Sequence, residues 1–370
     1  MMSKNYIYQK KLNGKSIGVV FGSFSPLHEG HIDLIMQAKK ENDGGCIIIV
    51  CGYDGDKGEP KLPHSKRYQY VREYFADDDL VSVYAINDTE LGIARYPNGW
   101  DKWLKEFDNI WRIATKDYYA YRVWYVGEQD YYDGLISRNE EAILIDRNVN
   151  PISATMIREN PIKYWDKIAS TFRRVYSKNI LITGTASEGK TNLVQDLGKY
   201  FNTSYSYEYA REYLEKRNLH ETEADAYDFK NFLIGQHELN KKMIESPLNK
   251  GVFFADTDSL VTSMYAQYYA NDENFKLDCI GSIIHLAVDL SSMCQWDKIF
   301  LIKPHGLFVD DNTRYMGHSE LDTREELFDI LYDDLKKCDL LDKVIILDGD
   351  YYENFCTVKN YVRKEVFNYE

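Results

Sequence analysis

Two groups of residues in this chain have types and spacings suited to handling phosphate. The first is Gly22-Ser23-Phe24-Ser25-Pro26-Leu27-His28-Glu29-Gly30-His31. His28 and His31 lie three apart, on one face of a first helical turn. Two imidazoles so placed donate hydrogen bonds to phosphate oxygens as negative charge builds on them. Gly22 lets the backbone approach a phosphate closely. With Ser23, Phe24 and Gly30 it forms a loop whose following helix offers free N–H groups and a positive dipole end. A pair of ordinary histidines at a helix start is the bland alternative. The second half of this group is Ile152-Ser153-Ala154-Thr155-Met156-Ile157-Arg158. Ser153 fits an N-cap, Thr155 and nearby N–H groups fit a phosphate, and Arg158 fits the neutralisation of a leaving pyrophosphate. A plain capped helix is the alternative there.

The second group is centred on Gly184-Thr185-Ala186-Ser187-Glu188-Gly189-Lys190-Thr191. This is a full G-x-x-x-x-G-K-[ST] loop between an apolar run and a helical pattern. The backbone from Gly184, Thr185, Ser187 and Gly189 cradles phosphates, Lys190 reaches the β and γ groups, and the Thr191 hydroxyl ligates Mg²⁺. Glu188 is unwelcome beside phosphate, so its side chain must point outward. Gly251 to Asp256 is an apolar run ending in an acid, and Asp256 is the candidate for Mg²⁺-linked water. Asp258 is the alternative, and a helix-capping aspartate is the bland reading. Glu208, after Ser204 to Tyr207, is placed to accept a substrate hydroxyl's proton or else is a surface glutamate; Arg211 follows it by three. Asp310-Asp311-Asn312-Thr313-Arg314 reads as a lid, with Arg314 closing over the transferred phosphoryl group, or as a solvated loop.

The elements that must position these groups are legible as apolar runs and helical spacings. Ile17–Phe21, Cys46–Cys51, Val81–Ile86, Val123–Val126 and Ala142–Ile145 read as strands. Helical patterns lie between them at about Glu29–Glu41, Lys66–Phe75 and Trp100–Ile113. Strands alternating with helices imply a parallel, doubly wound α/β sheet. Tyr164, Ile168, Phe172 and Val175 recur at helical spacing, so a connecting helix is expected over 161–178. The pattern then restarts with Ile180–Ile182 as a strand, a helix over Lys190–Tyr200, strands at Val252–Ala255, Lys298–Ile302 and Val344–Leu347, and a helix over Thr323–Lys337. The expected organisation is two α/β domains, a Rossmann-like domain over 1–160 and a P-loop NTPase kinase domain over 179–370.

The 370 residues suit two domains, each long enough to bury its own core. The formal net charge of −14 argues against a nucleic-acid surface. Apolar stretches are strand-sized, so no membrane insertion is expected, and Met1 to Lys15 lack the apolar core of a signal peptide. The six cysteines form no C-x-x-C pair and read as buried, reduced thiols rather than a zinc site. A cytoplasmic protein is expected, with its oligomeric state open, a homo-oligomer included. The 31 tyrosines follow no motif.

The [H/T]-x-G-H and I-S-x-T-x-x-R signatures, both intact here, resemble those of the nucleotidylyltransferase superfamily. Followed by a P-loop kinase, the arrangement resembles the NadR-type NAD-salvage enzymes over nearly the whole chain from about Ser16. Tyr96-Pro97-Asn98-Gly99-Trp100, Tyr164-Trp165, Glu208-Tyr209-Ala210-Arg211-Glu212, Gly235-Gln236-His237, Asp256-Thr257-Asp258 and Asp310-Asp311 extend that resemblance. It implies two reactions with ATP as co-substrate and Mg²⁺ as cofactor. The second domain phosphorylates the 5′ hydroxyl of nicotinamide riboside to nicotinamide mononucleotide (NMN). The first transfers an adenylyl group from ATP to NMN, giving NAD and pyrophosphate. It further implies substrate contacts from Asn98 and Trp100 in the first domain and from Arg211 and Asp258 in the second. Trp100 either stacks on the pyridinium or belongs to the core, because Trp103, Phe107 and Trp111 follow at helical spacing. Two departures stand out. Ser23 occupies a position where the family often has Lys. Only about fifteen residues precede the first strand, too few for the helix-turn-helix that some members carry. The rival expectations are that one domain alone is catalytic, that the first domain takes another phosphate-bearing substrate such as phosphopantetheine, or that the chain is a nucleotide sensor coupled to riboside uptake.

Overall fold

The computed structural model describes residues 11–52, 59–146, 151–270, 279–305 and 319–368. The chain divides into two compact units, Met1–Tyr176 and Ser177–Glu370, each built on its own sheet.

In the first unit the elements run β1 (Ser16–Gly22), α1 (Glu29–Glu41), β2 (Cys46–Cys51), α2 (His64–Tyr74), β3 (Val81–Ile86), α3 (Trp100–Ala114), β4 (Tyr121–Val126), α4 (Gln129–Ile136) and β5 (Glu141–Leu144). The strands form one parallel sheet in the order β3-β2-β1-β4-β5. Val19 of β1 lies opposite Ile47 on one side and Trp124 on the other. β1 and β2 are near-continuous apolar runs because helices cover both faces. Alternate residues feed two cores. Val20, Ile48 and Val50 pack with Ile35 and Val71. Val19, Ile47 and Ile49 pack with Trp103, Phe107 and Trp111 of α3. The chain leaves β1 toward β2 on one side, while β4 lies on the other. The crevice this reversal opens at the strands' carboxyl ends is where an open α/β sheet holds ligand.

The 161–178 segment corrects one expectation, because it is not a helix. After α5 (Ala154–Glu159) it makes a single 3-10 turn, Trp165–Lys167, and a four-residue helix, α6 (Ser170–Arg173). Ile168 and Ala169 between them have extended backbone, at ψ 131° and 136°. Ile168 bridges His28, and the Ala169 N–H donates to the Leu27 carbonyl at 3.1 Å. Trp165, Ile168, Phe172 and Tyr176 are buried in the first unit's core. The apolar spacing is real, but those residues wrap a core through short local turns, and Ile168 and Ala169 pair with the loop at Leu27 and His28, so no continuous helix forms. Tertiary partners override local propensity here.

In the second unit the elements are β6 (Lys178–Gly184), α7 (Lys190–Phe201), α8 (Tyr209–Arg217), α9 (Ala226–Ile244), β7 (Val252–Asp256), α10 (Ser259–Tyr269), α11 (Ile280–Met293), β8 (Lys298–Ile302), α12 (Leu321–Lys337), β9 (Val344–Leu347) and α13 (Tyr351–Glu365). The parallel sheet has the order β7-β6-β8-β9. Leu181, Phe253, Ile299 and Leu301 pack against Leu327, Leu331 and Leu335 of α12. A second cluster, with Tyr213, Phe229, Phe232, Tyr269 and Ile283, is made by helices alone. None of the six cysteines is in a disulfide; Cys46 is buried, Cys279 exposed and the rest half-buried. Among the described residues no helix is long and apolar enough to cross a membrane.

Candidate active sites

In the first unit, Gly22 ends β1 and His28 is the N-cap of α1, with extended backbone. Between them Phe24 sits in the left-handed region at φ 46°, fully buried. A bulky residue rarely adopts that conformation, and strain of this kind persists where packing over-determines it. Here the Phe24 ring meets the His31 ring edge-on at 5.0 Å, and a Cβ on Gly22 would lie 3.3 Å from the Phe24 ring. The His28 and His31 rings stack at 3.8 Å. Gly30 leaves room for this, since a Cβ there would come within 3.4 Å of the His28 ring and 3.2 Å of Ile152. The two histidines therefore form one face at the start of α1, as their spacing implied.

The second signature docks onto the first. The Ser153 hydroxyl caps α5 by accepting from the Met156 N–H at 3.2 Å. Arg158 donates to the Ser25 carbonyl at 2.5 Å and to the Thr155 hydroxyl at 3.0 Å. Two segments 133 residues apart in the chain thus share one loop. Beside them a cleft of about 520 Å³ is walled by Gly22, Ser23, Asp88, Tyr96, Trp100 and Tyr131, among others. Trp100 is both core and wall. It is 7% exposed and packs edge-on against Phe21, Trp103 and Tyr131 while lining the cleft. Asn98, expected at the substrate, is exposed on the turn before α3, and the described residues lining the cleft do not include it.

In the second unit the loop between β6 and α7 has the backbone that cradling a phosphate requires. Gly184, Ser187 and Gly189 have φ of 146°, 63° and 77°. A Cβ on Gly184 would also lie 2.9 Å from the Ile302 carbonyl. Lys190, 8% exposed, folds back to donate to the Thr185 carbonyl at 2.6 Å. The buried Thr185 hydroxyl has no hydrogen-bond partner among the described residues. Thr191 donates to Asp256 Oδ2 at 2.6 Å. Asp256 is fully buried, and its Oδ1 has no hydrogen-bond partner among the described residues. Burial pushes its carboxyl up to about 6; the Lys190 ammonium opposes the shift and Glu208 adds to it. Glu208 is the N-cap residue of α8 and pairs with Arg211 at 3.5 Å. Lys190, Glu208 and Arg211 share the wall of one cleft with Gln236 and Thr257. Asp258, read as a substrate-side acid, is instead the N-cap of α10, accepting from the Leu260 N–H at 3.1 Å, and is not among the described residues lining that cleft. Asp310, Asp311 and Arg314, the expected lid, lie outside the described residues.

Residues 19–160 match the cytidylyltransferase-like family profile and residues 179–354 the AAA domain profile. The trifunctional NAD biosynthesis/regulator proteins NadR of Salmonella typhimurium and Escherichia coli are 29% and 28% identical over 92% and 95% of this chain and 81% and 83% of theirs. A crystal structure of NadR protein in complex with NR is 33% identical with a TM-score of 0.83, covering 96% of this chain and 97% of that one. Another, in complex with NAD and AMP-PNP, is 34% identical with a TM-score of 0.81 over the same shares. The chain belongs to the NadR family. It is a nucleotidyltransferase unit followed by a P-loop kinase unit.

Two groups in this NadR-family chain, Arg67 and the turn at Thr257, escaped the sequence reading, and a third departs from it. Arg67, 1% exposed, donates to the carbonyls of Ser23, Cys51 (2.9 Å) and Leu62 (3.1 Å). It fastens the carboxyl ends of β1 and β2 together beneath the first cleft. Asp88 on the cleft wall feels its charge: burial raises the Asp88 carboxyl, while the Gly52 N–H, His64 and Arg67 oppose the rise. Arg67 ends the plain polar run His64-Ser65-Lys66-Arg67, so nothing local marks it. Thr257, a β-branched residue at φ 79°, turns the chain from β7 into the second cleft. Glu188 is the third, and it corrects an expectation. Its side chain does leave the phosphate loop, but not for solvent. It is 1% exposed and pairs with equally buried Arg324 at 2.6 Å, while the His305 backbone N–H donates to it at 3.2 Å.

Proposed function

We propose that this chain makes NAD by salvage in two ATP-dependent steps, phosphorylating nicotinamide riboside in the second unit and adenylylating NMN in the first. What carries the reading is that each unit sets a phosphate-handling loop at the carboxyl end of its sheet's entry strand, next to a cleft. The two clefts differ as the two substrates do.

In the second unit, the riboside 5′ oxygen bonds to the γ-phosphorus of ATP and the bond to the bridging oxygen of ADP breaks. The hydroxyl proton passes to the Glu208 carboxylate, which Arg211 orients. Lys190 leaves the Thr185 carbonyl for the β and γ phosphates, and the loop N–H groups hold them. The orphaned Asp256 Oδ1 and the adjacent Thr191 hydroxyl fit a magnesium ion bound together with the nucleotide's phosphates, where it would neutralise charge on the phosphoryl oxygens. In the first unit, an NMN phosphate oxygen bonds to the α-phosphorus of ATP and pyrophosphate leaves. His28 and His31 donate to the phosphate oxygens, Thr155 and the N–H groups of α5 hold the departing end, and Arg158 neutralises it. No covalent enzyme intermediate is needed, so catalysis is positioning with electrostatic stabilisation. The pyridinium seats against Trp100 and Tyr96, where an aromatic face favours a cation. Cysteines without disulfides suit a reducing cytoplasm.

The test is to incubate purified protein with Mg-ATP and nicotinamide riboside and follow the products by chromatography. NMN should appear first and NAD after it. Unchanged riboside would refute the kinase step, and NMN accumulating without NAD would refute the transfer step.

A further inference from the structure

The second unit's cleft is aromatic in the part formed by α9 and α10. Phe229, Phe232 and Tyr265 line it there, and among the described residues the charged group beside them is Glu221, on the 3-10 turn Glu221–Glu223. The carboxylate is not left to wander. Tyr269, 1% exposed and packed against Phe229 and Tyr265 at 6.2 and 5.8 Å, donates its hydroxyl to Glu221 Oε1 at 2.5 Å. The phosphate loop, Lys190 and the Glu208–Arg211 pair supply the cleft's other polar wall. A riboside whose 5′ hydroxyl meets Glu208 therefore has its base in the aromatic part, beside Glu221.

Resting on the riboside-kinase reading above, we infer that Glu221 is the specificity-determining residue for the base. It selects a cationic pyridinium bearing a neutral carboxamide and rejects the same riboside bearing a carboxylate. The carboxamide N–H donates to Glu221, and the ring's positive charge is attracted to it in a site lined by aromatics. A base carboxylate would face Glu221 as a like charge, which costs binding strongly when both groups are partly desolvated. Tyr269 acts through Glu221 as a positioning residue.

The experiment measures kcat/KM of the kinase reaction for nicotinamide riboside and for nicotinic acid riboside, in the wild-type chain, Glu221→Gln and Tyr269→Phe. Glu221→Gln keeps the shape and the acceptor for Tyr269 but loses the charge. It should lower kcat/KM for nicotinamide riboside about 10- to 100-fold, the scale of one lost charge-assisted partner. It should also raise the activity on nicotinic acid riboside, so that the ratio of the two collapses. Tyr269→Phe should move the ratio the same way, but less. Adenylyl transfer from supplied NMN and the melting temperature report that each preparation is intact, so a misfolded variant is not mistaken for a selective one. A wild-type chain that phosphorylates nicotinamide riboside with a ratio unmoved by Glu221→Gln overturns this inference alone. A wild-type chain that phosphorylates neither riboside overturns the proposed function, and this inference with it.

Discussion

Replacing Arg67 with Met would test whether a residue outside both signatures holds the first site together. Met keeps much of the side chain's length and removes all its donors. Three half-buried carbonyls, on Ser23, Cys51 and Leu62, lose the guanidinium that donates to them. An unsatisfied buried group costs roughly 1–3 kcal/mol. Water reaching some of the three, and the desolvation relieved by removing a buried charge, bring the expected loss to about 3–5 kcal/mol. For a unit of this size each kcal/mol shifts melting by about 2–4 °C, so the first unit's melting temperature should fall by roughly 6–20 °C. Ser23 adjoins Gly22, and a loop displaced by about 1 Å costs on the order of 10²-fold in rate. Calorimetry and adenylyl transfer from supplied NMN, both measured well below the new transition, read these effects, and the kinase reaction serves as the internal control. Arg67→Lys, which restores one donor group, should recover part of each. If Arg67→Met leaves the melting temperature within 2 °C and adenylyl transfer within about twofold, the fastening role assigned to Arg67 is wrong.

Three further outcomes follow from the geometry. His31→Ala should slow adenylyl transfer by about 10²- to 10³-fold with NMN affinity little changed, so NMN should accumulate from nicotinamide riboside; near-normal NAD synthesis would remove His31 from the chemistry. Lys190→Ala should stop riboside phosphorylation while NAD formation from supplied NMN continues, and loss of both in a folded protein would contradict two separate sites. The Asp256 carboxyl, held up at about 6 by burial in the chain without metal or nucleotide, should impose an acid limb near that pH on the kinase reaction's kcat/KM, which reports the free enzyme, and none on adenylyl transfer. The same shift has a stability consequence. Between about pH 4 and 6 the folded state holds a proton that the unfolded state has released, so Asp256 favours folding at the acid end and that contribution is lost as pH rises through the window. Asp256→Asn should flatten this dependence in chemical denaturation.

Most of the fold was legible because apolar runs mark buried parallel strands, and Ile17–Phe21 and Cys46–Cys51 are such runs. The histidine pair and the P-loop were legible because their spacing encodes geometry within a single turn. What stayed hidden is long-range. Arg67 reaches Ser23 across 44 positions and Arg324 reaches Glu188 across 136, and no local pattern announces either. Periodicity also misled where burial imitates a helix. Tyr164, Ile168 and Phe172 are spaced as on a helix because they face one core, yet Tyr164 lies in a turn, Ile168 in extended backbone and Phe172 in the four-residue α6. Asp256 and Asp258 are alike in sequence, and only the structure separates the partner of Thr191 from a helix cap.

The segment from Trp165 to Tyr176 has a meaning for how the chain is made. Every strand of the first sheet comes from residues before 145, so that sheet can assemble while the second unit is still unsynthesised. Its catalytic loop cannot settle so early. The extended pairing of Ile168 with His28, and the burial of Trp165 and Phe172 beneath it, await residues that leave the ribosome last among those of the first unit. At roughly 5–20 residues per second, translation completes this brace only about 2–6 s after it passes Leu144, the end of the last strand. Until then a nascent chain holds a formed sheet carrying an unbraced His28 loop. A ribosome stalled where Leu144 has emerged but Trp165 has not should therefore display a protease-resistant sheet with a cleavable loop at Ser25–His28, and one stalled far enough beyond Tyr176 for that residue to emerge should display neither cut.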